Sequence, residues 1–125
     1  MIVTTQNSVY KITGDEEVRK IEKIKEKNEE NSVIRVGYET FGGVTIRIPG
    51  NMGILSKDRY STFTSQIETV SGKVRGESGK NGVFIKNNEI VFHDIKFEFE
   101  KIMINSRGGI TGFTKGRLFD FGDII

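Results

Sequence analysis

From Ile95 to Glu100 apolar and charged residues alternate strictly: Ile95, Phe97 and Phe99 hold one parity, Lys96, Glu98 and Glu100 the other. Successive side chains of a strand point to opposite faces, so this is a strand with one buried and one wet face. At Ile102 and Ile104 the apolar parity changes. A strand that switches parity must bulge, bend or stop, and the spacing puts that event at Glu100-Lys101. Just upstream, Val83-Phe84-Ile85-Lys86 and Glu89-Ile90-Val91-Phe92 flank Asn87-Asn88. Asn tolerates positive φ, so Asn-Asn suits a two-residue hairpin turn. That loop pairs Lys86 with Glu89, Ile85 with Ile90 and Phe84 with Val91. Apolar residues fall on both parities of this hairpin, which predicts burial on both faces. His93-Asp94 reads as the turn into the next strand.

Elsewhere the pattern is weaker. Ile2 to Ile12 reads as a first strand, with Val9, Tyr10 and Ile12 as strand formers. Between Thr13 and Ser32, Val18, Ile21 and Ile24 recur every three residues, and Thr13-x-x-Glu16 fits a capping box. This predicts a short helix over 15–28; a return strand at Val18–Ile24 is the competing reading. Ile34, Val36 and Tyr38, then Val44, Ile46 and Ile48, suggest a hairpin closed by Phe41-Gly42-Gly43. Pro49-Gly50 suits a type II turn. Residues 51–60 read as irregular. Ser61 to Val70 is a hydroxyl-rich strand of a kind often found at sheet edges. Ser71 to Gly82 is a long Gly-rich loop, and Arg107 to Asp123 holds one or two short strands. The odd-numbered Phe113, Phe119 and Phe121 are expected on one core face.

The opening MIVTTQNSVYKI and the later YSTFTSQIETV, Tyr60 to Val70, resemble small uncharacterised β-rich proteins of bacterial phages and mobile elements. The resemblance covers residues 1–72. It implies a genomic context, a closing strand at Tyr60 to Val70 and a return strand at Val18–Ile24; it implies no activity.

The chain has 125 residues, 35% of them hydrophobic and 29% charged, which suits one globular domain. No apolar run approaches the roughly 20 residues that span a bilayer, and no secretory leader is visible. There are no cysteines, which removes disulfides, thiolate metal sites and cysteine catalysis. The default location is the cytoplasm. A net charge of +2 is too small to imply a polyanionic partner by itself.

Three motifs invite chemistry. Gly76-Glu77-Ser78-Gly79-Lys80 is a fragment of a phosphate-binding loop, but Val74 stands where the first glycine belongs and Asn81 where Ser or Thr belongs. A strand, not a helix N-terminus, follows it. What is left is a surface loop whose Lys73, Arg75 and Lys80 suit a weak anion contact. Arg107-Gly108-Gly109 and Lys115-Gly116-Arg117-Leu118-Phe119 mix cations with rings, as single-strand nucleic-acid binders do, yet Arg117 replaces an aromatic of the RNA-recognition strand motif. His93-Asp94 is the third: one histidine cannot build a multi-histidine metal site, and no G-x-S-x-G elbow accompanies it. Glu98, Glu100 and Asp120 suit a carboxylate pair but also the wet face of a strand.

The expected protein is a mainly β, compact antiparallel sandwich or partly open barrel of about seven to nine strands, with one short helix. The leading expectation is a non-enzymatic binding protein, a phage or mobile-element accessory that inhibits a partner protein or joins an assembly. It uses no cofactor and no metal. The binding residues expected from charge are Lys73, Arg75, Lys80, Arg107, Lys115 and Arg117. The alternatives are single-stranded nucleic-acid binding, and a small-ligand or enzyme site formed on homo-oligomerisation.

Overall fold

The structure, a computed structural model, describes residues 1–14, 19–27, 35–57, 61–76 and 82–125. Twelve strands and no helix lie among them: β1 Ile2–Thr5, β2 Ser8–Gly14, β3 Arg19–Glu26, β4 Glu39–Ile48, β5 Asn51–Ser56, β6 Ser61–Gly72, β7 Val83–Lys86, β8 Glu89–Phe92, β9 Ile95–Glu98, β10 Lys101–Ile104, β11 Gly109–Thr114 and β12 Arg117–Asp123. The first six close on themselves. Each of β1 to β5 pairs antiparallel with the next, and β6 pairs back with β1. Closure removes the sheet edges of this six-stranded barrel. Val3, Ile12, Ile21, Ile46, Met52 and Val70 fill it and are fully buried.

Two arms leave the barrel. β10, β11 and β12 extend from the end of β4, where Ile102 pairs with Ile48. β7, β8 and β9 extend from the end of β6, where Val70 pairs with Ile85. The arms face each other through phenylalanines. Phe99 lies 5.7 Å from Phe119 and 5.5 Å from Phe121, and Phe97 lies 5.2 Å from Phe121, measured between ring centroids. Such tilted and edge contacts are the favoured aromatic geometries. Backbone bonds between Lys73 and Ile125, and from the Arg75 N–H to the Asp123 carbonyl, tie the end of β12 to the continuation of β6. The buried guanidinium of Arg19 adds a second tie, donating at 2.7 Å to the Arg107 carbonyl and at 3.4 Å to that of Ile124.

The mainly β class and the antiparallel pairing hold, with more strands than expected. The helix over 15–28 does not: residues 19–26 form β3, while 15–18 and 28 lie outside the described residues. The inward positions of β3 are Arg19, Ile21 and Lys23. Two of the three are cations with buried stems, Lys23 in an ion pair with Glu26. Charge in those positions hides the two-residue period and leaves a three-residue one visible. The Phe41–Gly43 hairpin is also absent, because β4 runs straight through it to a reversal at Pro49-Gly50. There Gly50 has φ +148°, far from the roughly +80° that a type II turn requires at that position, so the turn is not type II. Residues 51–56, read as irregular, are β5. Nor is β6 an edge: it pairs with β1, β5 and β7. Its hydroxyls work internally. Thr64 Oγ1 accepts the Met52 N–H, and Ser65 Oγ bonds Thr5 Oγ1 at 2.9 Å while accepting the Asn7 N–H.

The Asn87-Asn88 hairpin forms in the expected register, with Asn87 at φ 53°. Only one of its faces is buried, carrying Val83, Ile85 and Ile90, while Phe84 is exposed. The chain leaves β9 and enters β10 at Phe99-Glu100, as the parity change requires. Phe119 and Phe121 share a face, both packing on Phe99, but Phe113 lies on the other. A two-residue turn at Lys115-Gly116 pairs Phe113 with Leu118 and Gly112 with Phe119, so odd residues of β11 face even residues of β12.

Burial of the Tyr10 phenol raises its pKa above the ordinary 10.0, because the anion loses hydration; its bond with Ser8 acts the other way. The folded chain therefore holds this proton more tightly than the unfolded chain. The resulting stability is complete below pH 10 and is lost as pH rises through the folded value. Tyrosinate absorbance should show a late-ionising phenol that is missing from Tyr10→Phe. Titration of every phenol at the free-tyrosine value would contradict this environment.

Candidate functional site

The five described members of the six basic residues expected to bind fall into separate places. Lys73 and Arg75 are exposed where the continuation of β6 meets the C-terminal end of β12. Arg107 is exposed in the turn before β11, near that same end. Lys115 and Arg117 sit at the opposite end of β11, whose six residues span about 20 Å. Lys80 lies outside the described residues. The described members of the set therefore do not form one positive face. His93 and Asp94, both at positive φ, make the turn between β8 and β9. Among the described residues no three His, Asp or Glu side chains are grouped as metal ligands are, and no helix is long and apolar enough to cross a membrane.

A different site is assembled where the arms end. The strand order starts at β12 and finishes at β9, and these two ends come together. Between them runs an open groove of about 440 Å³, with Phe97, Phe99, Phe119 and Phe121 along it and Lys96, Glu98 and Asp120 at its rim. Phe119 is 44% exposed and Ile95 57%, although both lie on parities that face the core nearer the barrel. The apolar layer thus continues into solvent at this seam.

Among the described residues, no strand takes up the outer edge of β9 along the seam. In an antiparallel ladder the N–H and C=O groups of alternate residues point to alternate sides. The Phe99 N–H donates to Asn88 at 2.8 Å, so Phe99, Phe97 and Ile95 turn their backbone groups toward β8. Lys96 and Glu98 turn theirs away from it, and no other described strand pairs with β9. Their side chains point to the wet face, where Lys96 Nζ reaches Glu89 at 3.9 Å. Sequence reasoning found this strand and its two faces. It did not find the open edge, which is a property of topology.

A second groove, of about 550 Å³, lies on the outer wall of the barrel. Its floor is Gly43 and Gly53, with the highly exposed Phe63 ring against Gly53 and Leu55 and Arg47 beside it. It has an apolar centre, but the strands that line it pair with one another, β4 with β5 and β5 with β6.

The fold is a closed six-stranded antiparallel barrel carrying two facing three-stranded arms. Comparison with protein-family models, with curated proteins and with solved structures returned no match.

Proposed function

We propose that the protein is a non-enzymatic interaction module that accepts an extended segment of polypeptide along β9, in the seam between β9 and β12. The observation that carries this reading is the coincidence of outward backbone groups at Lys96 and Glu98, which no other described strand takes, with a half-buried phenylalanine layer whose Phe119 is exposed. Strand addition draws affinity from main-chain hydrogen bonds and specificity from alternate side chains, and this seam offers both. An exposed edge is otherwise a liability that proteins blunt or cover. In this reading the chain works in the cytoplasm as an inhibitor or an assembly component. The resemblance of its opening segments to phage and mobile-element proteins supports an accessory of that kind. Nucleic-acid binding is less well supported, since the basic residues are divided between the two ends of β11 and the net charge is only +2.

Selection of a random peptide display library on the immobilised protein tests the proposal. The enriched peptides should alternate apolar and polar residues and should lose binding to Lys96→Pro. Proline removes the outward N–H but is tolerated by an edge strand, so this variant should keep its fold by circular dichroism. Peptides that bind wild type and Lys96→Pro equally, or no enrichment, would refute strand addition at this edge.

A further inference from the structure

We infer that the segment taken up by β9 is the β9 strand of a second copy of this chain. The inference rests on the reading of β9 as an open edge, and it follows from the order of residues along that edge. An antiparallel pair of identical strands has a two-fold axis, so each residue meets a partner set by one centre. With Phe97 at the centre, Lys96 of each copy faces Glu98 of the other. These are the two residues of β9 whose backbone groups point outward. In this register Lys96 and Glu98 exchange four backbone hydrogen bonds across the axis, and Phe97 forms the close, non-hydrogen-bonded pair between them.

The side chains agree with the backbone. Directly opposed residues on one face hold their Cβ atoms about 5 Å apart, within reach of a Lys–Glu ion pair. Two such pairs form, one on each side of the axis. A shift of the centre by one residue, to Lys96, sets lysine against lysine. A centre at Glu98 sets glutamate against glutamate. Only the Phe97 register is complementary in charge, in backbone direction and in its apolar face together. The exposed Ile95 side chain also lies on the Phe97 face, so the same register extends the apolar layer of one copy into that of the other.

The test is sedimentation analysis over a concentration series for wild type, Lys96→Glu, Glu98→Lys, the double exchange, and a mixture of the two single variants. Wild type should dimerise. Each single variant sets like charges opposite each other twice, and its dissociation constant should rise by at least roughly tenfold. The double exchange restores opposite charges and should dimerise again. The mixture should form a heterodimer, because one variant presents two carboxylates and the other two ammonium groups. Single variants that dimerise as tightly as wild type would overturn the inference, as would a mixture that stays monomeric. A monomeric wild type would also overturn it. If peptides selected as above then still bind in a manner abolished by Lys96→Pro, the edge takes foreign strands only. If those peptides fail as well, the reading of the edge falls with the dimer.

Discussion

Phe99→Ala should destabilise the protein by about 3–5 kcal/mol, the usual cost of emptying a buried phenylalanine site. Phe99 is buried where the chain passes from one arm to the other, and its ring touches both Phe119 and Phe121. The ring also lies flat against the backbone of Gly112, where an added Cβ would come within 2.7 Å of three ring carbons. Glycine at that position is thus a cradle for the aromatic ring. The site cannot collapse easily, because Gly112 is held between β10 and β12. Urea unfolding of wild type and variant should show a lower midpoint with an unchanged slope. A loss below about 1 kcal/mol would mean that the arms do not share a core.

The second large effect belongs to the barrel. Gly42→Val should cost about 3 kcal/mol, the upper end for overpacking, because the new Cβ would be driven into the Leu55 carbonyl. The obstruction is main chain in a paired strand, and moving it would break the β4–β5 ladder at Gly42 and Ser56. Gly43, next in sequence, meets only the Ser106 side chain at 3.5 Å. Gly43→Ala serves as the control and should cost far less in the same urea titration. Equal losses at the two positions would contradict the close approach at Gly42.

These two glycines show why part of the fold was not legible. Gly-Gly after Phe41 has the composition of a turn, yet at Gly42 the requirement is room for a neighbouring strand that lies thirteen residues on. A strand partner so far away leaves no local signal. β3 was obscured for a related reason. Its inward Arg19 is buried through contacts made far along the chain, with the carbonyls of Arg107 and Ile124, and its inward Lys23 through an ion pair with Glu26 that no apolar period marks. Where pairing is local, the residues were enough. Asn87-Asn88 set the β7–β8 register, and the change of parity after Glu100 marked the step from β9 to β10.

The candidate site was half legible. The alternation Ile95 to Phe99 and the opposite charges two residues apart are plain in the chain. That this strand ends the sheet, with Lys96 and Glu98 pointing outward, depends on which strands pair with it. Cations in Gly-rich loops drew attention instead, and those loops lie at two ends of one arm. Charge in a loop is common and solvated. An open edge beside a half-buried phenylalanine cluster is rare, which gives the seam its weight.

Residue-resolved amide hydrogen exchange tests the open seam most directly. In dilute protein, the Lys96 and Glu98 amides should exchange rapidly while those of Ile95 and Phe97 are protected by β8. Adding a peptide selected on the wild-type protein should then slow Lys96 and Glu98 and leave Ile95 and Phe97 as they were. Protection of all four in dilute protein, or rapid exchange at Lys96 and Glu98 with the peptide bound, would contradict a strand-accepting edge at β9.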